Sequence, residues 1–235
     1  MSLIQEQISK VQSGLEAACR RAGRDPSEVT LIAVSKTRPV SDIREAYDCG
    51  IRDFGENRVQ ELLEKQPQLP GDIRWHLIGH LQTNKVRSVI GKTVLIHSVD
   101  SLHLAECIDR ESARAGVTTE VLLEVNAAGE ESKFGFRPEE LMEQLNALAA
   151  LEHLRIRGLM TVAPAVEDPE ENRPVFAGMR NLAVDITGKN IDNISMDFLS
   201  MGMTNDYITA SEEGASFVRV GTAIFGEREK NGEFR

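Results

Sequence analysis

Cysteine, aromatic residues and long apolar runs are all scarce in this chain of 235 residues. The three cysteines, Cys19, Cys49 and Cys107, lie far apart and form neither a CxxC pair nor a cysteine and histidine cluster with the spacing of a zinc site. No apolar run approaches the ~18 residues that a membrane span needs. These absences exclude a disulfide scaffold, and we interpret the chain as a cytoplasmic protein with reduced thiols and no membrane partner.

Basic residues are also in deficit, because 27 lysines and arginines stand against 37 acidic residues and give a formal net charge of −10. Nucleic acids and anionic membranes both need a net basic surface on a protein partner. Neither is therefore expected as a main partner, and a local basic pocket for a small anion stays compatible with the balance. A chain of this length buries enough surface to fold without disulfides or metal.

The N-terminal segment has the pattern of an amphipathic helix. Its apolar residues Ile4, Ile8, Val11, Leu15 and Ala18 recur at helical spacing. There is no basic start followed by an apolar core, so the segment is not a signal peptide. A helix that packs on the domain is favoured over a membrane or partner helix, because such stripes are usually core faces.

Short β-branched runs alternate with helical segments along the rest of the chain. The predicted strands are Val29–Lys36, Asp53–Asn57, Arg74–Gly79, Thr93–Val99, Thr119–Asn126, Leu154–Val162, Ser195–Gly202 and Ser216–Phe225. The predicted helices between them are Val40–Asp48, Arg58–Lys65, Gln82–Ile90, Leu102–Ala115, Glu139–Leu151, Arg173–Thr187 and Asn205–Glu213.

Eight strands, each but the last followed by a helix, predict a parallel sheet closed into a (β/α)8 TIM barrel with an additional N-terminal helix. A doubly wound open sheet is the alternative, and it is disfavoured because no strand is followed by a GxGxxG turn. Since no linker or shift in composition divides the chain, we expect a single domain over residues 1–235.

In barrels of this kind the active site lies where the strands end, and the loops after strands seven and eight commonly bind phosphate. Here those loops offer Ser200, Gly202 and Thr204 on one side and Gly221 and Thr222 on the other. Small residues let the backbone approach an anion, and hydroxyls add donors. Ordinary turn and capping residues would give the same pattern, so no single one of these residues indicates phosphate binding.

Two basic side chains accompany these loops. Arg219 shares a strand face with Gly221 and should point into the barrel, where it needs an acceptor, either a neighbouring carboxylate or a ligand atom. Lys36 ends the first strand, where it is either a solvated lysine or an amine nucleophile that forms Schiff bases with carbonyl compounds. An aldehyde that carries a phosphate, such as pyridoxal 5'-phosphate (PLP), would use both residues and the loops.

At this point six ordered motifs match a known family over essentially the full length. They are AVSKT at 33–37, FGENRVQE at 54–61, WHLIGHLQTNK at 75–85, GLMTVAP at 158–164, SMGMTNDY at 200–207 and VRVGTAIFGER at 218–228. With these motifs the chain resembles the PLP homeostasis proteins, the YggS/PROSC group. That group is similar to the barrel domain of alanine racemases without its second, β-rich domain.

The resemblance implies a set of binding residues. Lys36 would carry PLP covalently as an internal aldimine, and Arg219 would lie at the pyridine nitrogen. Ser200, Gly202, Thr204, Gly221 and Thr222 would surround the phosphate, and Asn57, His76 and Met160 would line the ring. The sequence departs modestly from the family, with Arg58 where many members have Tyr and Thr204 where many have Ser.

Two functions stay open, a PLP carrier that buffers the cofactor or delivers it to PLP-dependent apo-enzymes, and a racemase-like enzyme acting on amino acids. Racemases need a second acid or base, which in alanine racemases is a tyrosine from the partner subunit. This chain has only Tyr47, which lies in the first outer helix, and Tyr207, which opens the helix after strand seven and is a weak candidate for that role. We favour a non-catalytic carrier, and a phosphosugar-type enzyme without PLP is a third alternative.

Two further expectations concern exchange and assembly. Lys133, in the loop after strand five, would act as a second amine during cofactor exchange, or it is a solvated loop lysine. Because no long apolar helix face is left after the barrel is built, we expect a monomer.

Overall fold

The computed structural model describes residues 2–130 and 134–227, and its centre is a closed barrel of eight parallel strands. The strands are β1 (Thr30–Val34), β2 (Asp53–Glu56), β3 (Arg74–Leu77), β4 (Leu95–Val99), β5 (Thr119–Glu124), β6 (Leu154–Met160), β7 (Ile194–Met203) and β8 (Phe217–Val220). Each strand pairs with the next in the chain, and β8 pairs with β1. The predicted (β/α)8 barrel is confirmed.

Nine α-helices surround the barrel within the described residues. They are α1 (Leu3–Arg21), α2 (Val40–Asp48), α3 (Val59–Lys65), α4 (Val86–Val89), α5 (Leu102–Ala115), α6 (Pro138–Ala149), α7 (Arg173–Gly188), α8 (Tyr207–Glu212) and α9 (Thr222–Phe225). No helix among these is long and apolar enough to cross a membrane.

Several predicted elements are one to three residues shorter in the structure, and two predictions differ from it more strongly. The predicted final strand over 216–225 ends at Val220, because Gly221 starts a short helix, α9, that the sequence reading had merged with the strand. The predicted helix over 82–90 is a single turn of α-helix, α4, preceded by a 3-10 turn at Thr83–Lys85. The sequence there is TNKVRSVIG, whose short apolar stripe covers just one turn.

Ser2 caps the N-terminus of helix α1, because its hydroxyl accepts a hydrogen bond from the Gln5 amide at 3.2 Å. The buried residues of α1 include Ile8, Val11 and Leu15. They pack towards α2, α8 and α9, the helices that flank the β8–β1 closure of the barrel. The predicted role of this segment, a helix that packs on the domain, is confirmed.

Side chains on the strands alternate between an outer layer under the helices and the barrel interior. The interior apolar cluster consists of Ile32, Leu95, Leu122, Met160 and Phe217. Each of these residues comes from a different strand, so the lumen is a packed core rather than a pore. The candidate site lies beyond this plug, where the strands end.

Candidate active site

Lys36 lies just beyond the carboxyl end of β1, which ends at Val34. Its side chain is half-buried. The next residue, Thr37, has φ of 63°, a left-handed backbone conformation that is uncommon for a residue with a branched Cβ. The lysine therefore sits in a tight turn that neighbouring groups must hold in place.

A buried charged cluster holds that turn from both sides. The Ser35 hydroxyl donates to Glu56 Oε1 at 2.7 Å, and the Thr37 amide donates to Glu61 Oε2 at 2.8 Å. The Lys65 ammonium donates to the Ser35 carbonyl at 2.9 Å and to one oxygen of each glutamate at 2.8 Å. The residues before and after Lys36 are thus tied to β2 and α3.

Burial sets the charge state of this cluster. Burial raises the pKa of Glu56 to about 7, although the Lys65 and Ser35 hydrogen bonds oppose the shift. Burial acts on Glu61 in the same direction, but the hydrogen bonds from Lys65 and from the Thr37 amide bring its pKa below the usual value. Lys65 is the counter-charge that both carboxylates share, and sequence reasoning gave it no role.

Arg219 points into the barrel from β8, as the strand alternation predicts, and it is 4% exposed. Its guanidinium donates to the Ser200 hydroxyl at 2.6 Å and to the Thr161 carbonyl at 2.8 Å. Burial lowers its pKa to about 10, with the carboxylates of Glu124 and Asp206 acting in the opposite direction. It therefore stays a cation at neutral pH.

The hydrogen-bond partners of Arg219 distinguish between the two acceptors that the sequence left open, a neighbouring carboxylate and a ligand atom. Among the described residues, no carboxylate lies within salt-bridge distance of Arg219, so the ion-pair alternative is not what this part of the structure shows. Arginine carries five N–H donors. The Ser200 and Thr161 bonds use two of them, and donors are left for a ligand atom at the barrel mouth.

The loops after β7 and β8 are joined by Thr204, whose hydroxyl accepts from the Gly221 amide at 3.3 Å and the Ala223 amide at 3.5 Å. Gly202 has φ of 89°, and a Cβ built there would lie 2.5 Å from Ala210 Cβ. Any larger residue would push the loop away from α8. Thr222 is exposed and begins α9. The loops thus present small residues and hydroxyls to one space.

Asp206 fixes the first of these loops. One carboxylate oxygen accepts from the Met203 amide at 2.7 Å, and the other accepts from the buried Asn172 side chain at 2.8 Å. The same Asn172 amide donates to the Pro164 carbonyl at 3.0 Å. The loop after β6 is therefore tied to the loop after β7, and the two form one rim.

The amine and the two loops meet because β1 and β8 are neighbours. Ala33 pairs with Val220, and the Val34 Cβ lies 3.4 Å from the position that a Cβ on Gly221 would take. Lys36 follows Val34 by two residues, so it stands beside the Gly221 loop. An amine, an unpaired set of arginine donors and two small-residue loops converge at one end of the barrel.

A family model described as the N-terminal domain of alanine racemase matches residues 9–229. The pyridoxal phosphate homeostasis protein of Aquifex aeolicus is 45% identical over 224 residues, which cover 95% of this chain and 97% of that protein. The chain belongs to the pyridoxal phosphate homeostasis protein family. The resemblance inferred from the six motifs is confirmed.

Solved structures agree with this membership. PipY of Synechococcus elongatus, a family member solved with PLP bound, is 39% identical with a TM-score of 0.82, and the match covers 95% of this chain and 100% of PipY. An alanine racemase of Clostridium difficile has a TM-score of 0.71 at 14% identity, and the match covers 97% of this chain but 57% of the racemase. The racemase likeness shows the shared fold alone.

The three residues expected at the ring of a cofactor lie at different depths. Asn57 directly follows β2, and its buried Oδ1 has no hydrogen-bond partner. Gly79 packs against the Asn57 backbone, and a Cβ on Gly79 would lie 2.5 Å from the Asn57 carbonyl oxygen. Met160 and His76 are buried inside the barrel, Met160 in the apolar plug and His76 among polar side chains.

Ser200 is also deeper than the loops to which the prediction assigned it. Its hydroxyl is buried and lies between Arg219 and the imidazole of His97, with an Oγ to His97 Nδ1 distance of 2.8 Å. The phosphate contact expected for Ser200 stays a prediction. The structure adds a contact that sequence reasoning missed, because His97 lies 103 residues away in the chain.

Tyr207 is corrected as a candidate acid or base. Its phenol points to the outer helix layer, where a Cβ on Gly14 of α1 would lie 2.6 Å from the Tyr207 hydroxyl. The Tyr47 hydroxyl donates to Asp72 at 2.7 Å, at the opposite end of the barrel. Neither tyrosine faces the mouth.

Lys133, the proposed exchange lysine, lies outside the described residues.

A cleft of about 210 Å³ borders the site beside Asn57. Arg58, His80 and Lys85 line it together with Gln60 and Gln82. Arg58 and Lys85 give the rim of this cleft a local positive charge. The net charge of −10 does not reveal this local basic surface.

Proposed function

We propose that this protein binds PLP at the barrel mouth and serves intracellular PLP homeostasis by holding the cofactor and delivering it to PLP-dependent apo-enzymes. The observation that carries the proposal is the convergence of Lys36, the Arg219 donors and the Gly202 and Gly221 loops at one end of the barrel. The PLP bound to PipY, a relative along nearly its whole length, supports the same ligand.

The donor set fits the chemistry of this cofactor. When bound, PLP supplies an aldehyde that reacts with amines. The Lys36 amine would hold the aldehyde carbon covalently, with loss of water. The buried cluster of Glu56, Glu61 and Lys65 holds the turn that presents this amine.

The phosphate would be held by the joined loops. Gly202 and Gly221 allow close approach of the backbone, and the hydroxyls of Thr204 and Thr222 stand beside them. Backbone amides and hydroxyls are good phosphate donors because they need no counter-charge of their own.

Arg219 would donate to the pyridine nitrogen, with Asn57 beside the ring and with Met160 and His76 below it inside the barrel. A guanidinium held at a pKa of about 10 keeps its own proton at neutral pH and so leaves the ring nitrogen unprotonated. An unprotonated ring is a weaker electron sink. The orphaned Asn57 Oδ1 marks a buried acceptor beside the site that a bound ligand could satisfy.

A carrier role is favoured over racemase-like catalysis. Both tyrosines of the chain are directed away from the mouth, and the relatives that match along nearly their whole length are named pyridoxal phosphate homeostasis proteins. We further propose that the protein is cytoplasmic, which its three free cysteines support, and that it is a monomer.

Reductive trapping tests the binding site. Incubation with PLP followed by borohydride and peptide mapping is expected to place a stable pyridoxyl label on the peptide that contains Lys36. Label on other lysines with none on Lys36 would refute the assignment. A protein whose absorption spectrum does not change on adding PLP would instead favour a phosphosugar-type enzyme.

Amino-acid turnover tests the carrier role. Holo-protein purified from a racemase-free host is expected to leave L- and D-alanine and L- and D-serine unchanged over many hours. An added apo-enzyme that depends on PLP should gain activity from the same preparation. Sustained conversion of one enantiomer into the other would establish the racemase-like alternative.

A further inference from the structure

Five buried side chains form a continuous hydrogen-bonded chain through the barrel. Arg219 bonds Ser200 at 2.6 Å, Ser200 bonds His97 Nδ1 at 2.8 Å, His97 Nε2 bonds His76 Nδ1 at 2.9 Å, and His76 Nε2 bonds Asp53 Oδ1 at 3.0 Å. Each of the five residues is less than 9% exposed. This hydrogen-bonded chain begins at Arg219, beside the candidate cofactor site, and leads away from that site.

The direction of every bond in this chain follows from its first member. Arginine can only donate, so the Ser200 oxygen accepts from Arg219. Among the described residues, the Ser200 hydroxyl has no other acceptor than His97 Nδ1, so it donates there. Burial lowers the pKa of His97 well below its usual value, which leaves the ring neutral with its single proton on Nε2.

The same logic continues through the second ring. Because His97 Nε2 donates, His76 Nδ1 must accept, and the proton of His76 lies on Nε2. That proton is donated to Asp53 Oδ1. All four donors therefore point the same way, from Arg219 to Asp53.

Asp53 is suited to end such a chain. Burial alone would raise the pKa of Asp53, but hydrogen bonds from His76 and Arg74 bring it below the usual value, so the group is a carboxylate that can only accept. Arg74 pairs with both of its oxygens. Asp53 and Arg74 are the first residues of β2 and β3, so this ion pair lies at the end of the barrel opposite the mouth.

We propose that Asp53 is a positioning residue for the cofactor site: it fixes the tautomers of His76 and His97 and thereby the orientation of Ser200 and Arg219. Aligned hydrogen bonds polarise one another in a low-dielectric interior. The Asp53 carboxylate thus keeps aligned the four bonds that lead to Arg219, a cation with no carboxylate partner in the described structure. The part of this inference that concerns the cofactor rests on the proposed function.

Histidine nitrogen spectroscopy on the cofactor-free protein tests the direction of the chain. Long-range proton–nitrogen NMR spectra distinguish the two tautomers of histidine. The protein has five histidines, and their signals can be assigned by substituting them one at a time. The expected result is an unprotonated Nδ1 and a protonated Nε2 in both His76 and His97. A protonated Nδ1 in either ring would overturn the proposal.

An Asp53→Asn protein tests the action at a distance. His97 does not contact Asp53, yet its nitrogen shifts are expected to change together with those of His76. Asp72→Asn is the matched control, because it removes a carboxylate just before β3 that bonds Tyr47 and Arg52 and lies outside the chain. If His97 responds equally to both substitutions, or to neither, Asp53 has no positioning role.

The Ser200→Ala substitution interrupts the hydrogen-bonded chain near Arg219. It provides a second test of the coupling if the Asp53→Asn protein does not fold. It should change the nitrogen shifts of His97 and of His76, and unchanged His76 shifts would overturn the coupling.

Each folded variant is expected to bind PLP about five- to tenfold more weakly, the factor that one lost hydrogen bond produces. Unaltered PLP affinity in both variants would refute the effect on Arg219. A wild-type protein that binds no PLP would refute the proposed function and leave the tautomer result standing.

Discussion

Replacing Lys36 with alanine is expected to abolish the covalent attachment of PLP and the visible absorption that accompanies it. The remaining contacts, from Arg219 and the Gly202 and Gly221 loops, are non-covalent. We expect the affinity for PLP to fall by at least about a hundredfold, or ~2.8 kcal/mol. Equilibrium dialysis and absorption spectra measure the two effects separately.

The fold should survive this substitution, since Lys36 is half-buried at the end of a strand and the turn is held by Ser35 and Thr37 instead. Lys92→Ala removes a lysine from an exposed position between α4 and β4 and should leave binding unchanged. Full borohydride labelling of the Lys36→Ala protein would defeat the assignment. Label that appears on Lys133 in that protein would support its predicted role in exchange.

Replacing Lys65 with methionine is expected to lower the free energy of unfolding by ~3–5 kcal/mol at pH 8. The substitution removes the shared counter-charge of Glu56 and Glu61 and leaves a buried carboxylate without compensation. Because the same ammonium holds the Ser35 carbonyl, borohydride trapping of PLP at Lys36 should also slow. Urea unfolding monitored by circular dichroism measures the first effect, and labelling kinetics measure the second.

The pH dependence of this loss has a definite sign. Burial holds the pKa of Glu56 at about 7, above its value in the unfolded chain, so protonation of Glu56 favours the folded state. The deficit of Lys65→Met should therefore be largest above pH 7 and shrink as the pH falls below 7. Lys10→Met, at an exposed position of α1, should change stability by no more than ~0.5 kcal/mol. A pH-independent deficit, or one below ~1 kcal/mol at pH 8, would contradict the role given to the cluster.

Periodicity predicted the architecture because the barrel repeats one local unit eight times. Helices α2 and α5 have the predicted bounds, and both end where a glycine lies at or just beyond the last turn. Helices α4 and α9 differ because each is a single turn, too short for apolar periodicity to distinguish from a strand or a loop.

The site was predictable only in part. Lys36 and Arg219 could be placed because a strand end and a two-residue alternation are local features. The cluster around Lys65 and the path through His76 and His97 depend on partners from distant strands, and a single sequence does not show which polar residues meet. The sequence signal was weak: His97 and Ser98 are the polar residues of strand β4, and Asp53 is the first residue of a buried strand.

The closure of the barrel by β1 and β8 also sets the time at which the binding site comes into existence. Ile32 and Arg219 become neighbours only when the first and last strands pair. On the ribosome the N-terminal part emerges first, so a nascent chain carries Lys36 long before it has Arg219 and the Gly221 loop. Under the proposed function, capture of the cofactor is therefore a property of the finished barrel, and a nascent chain would expose the Lys36 amine before the groups that retain the cofactor have formed around it.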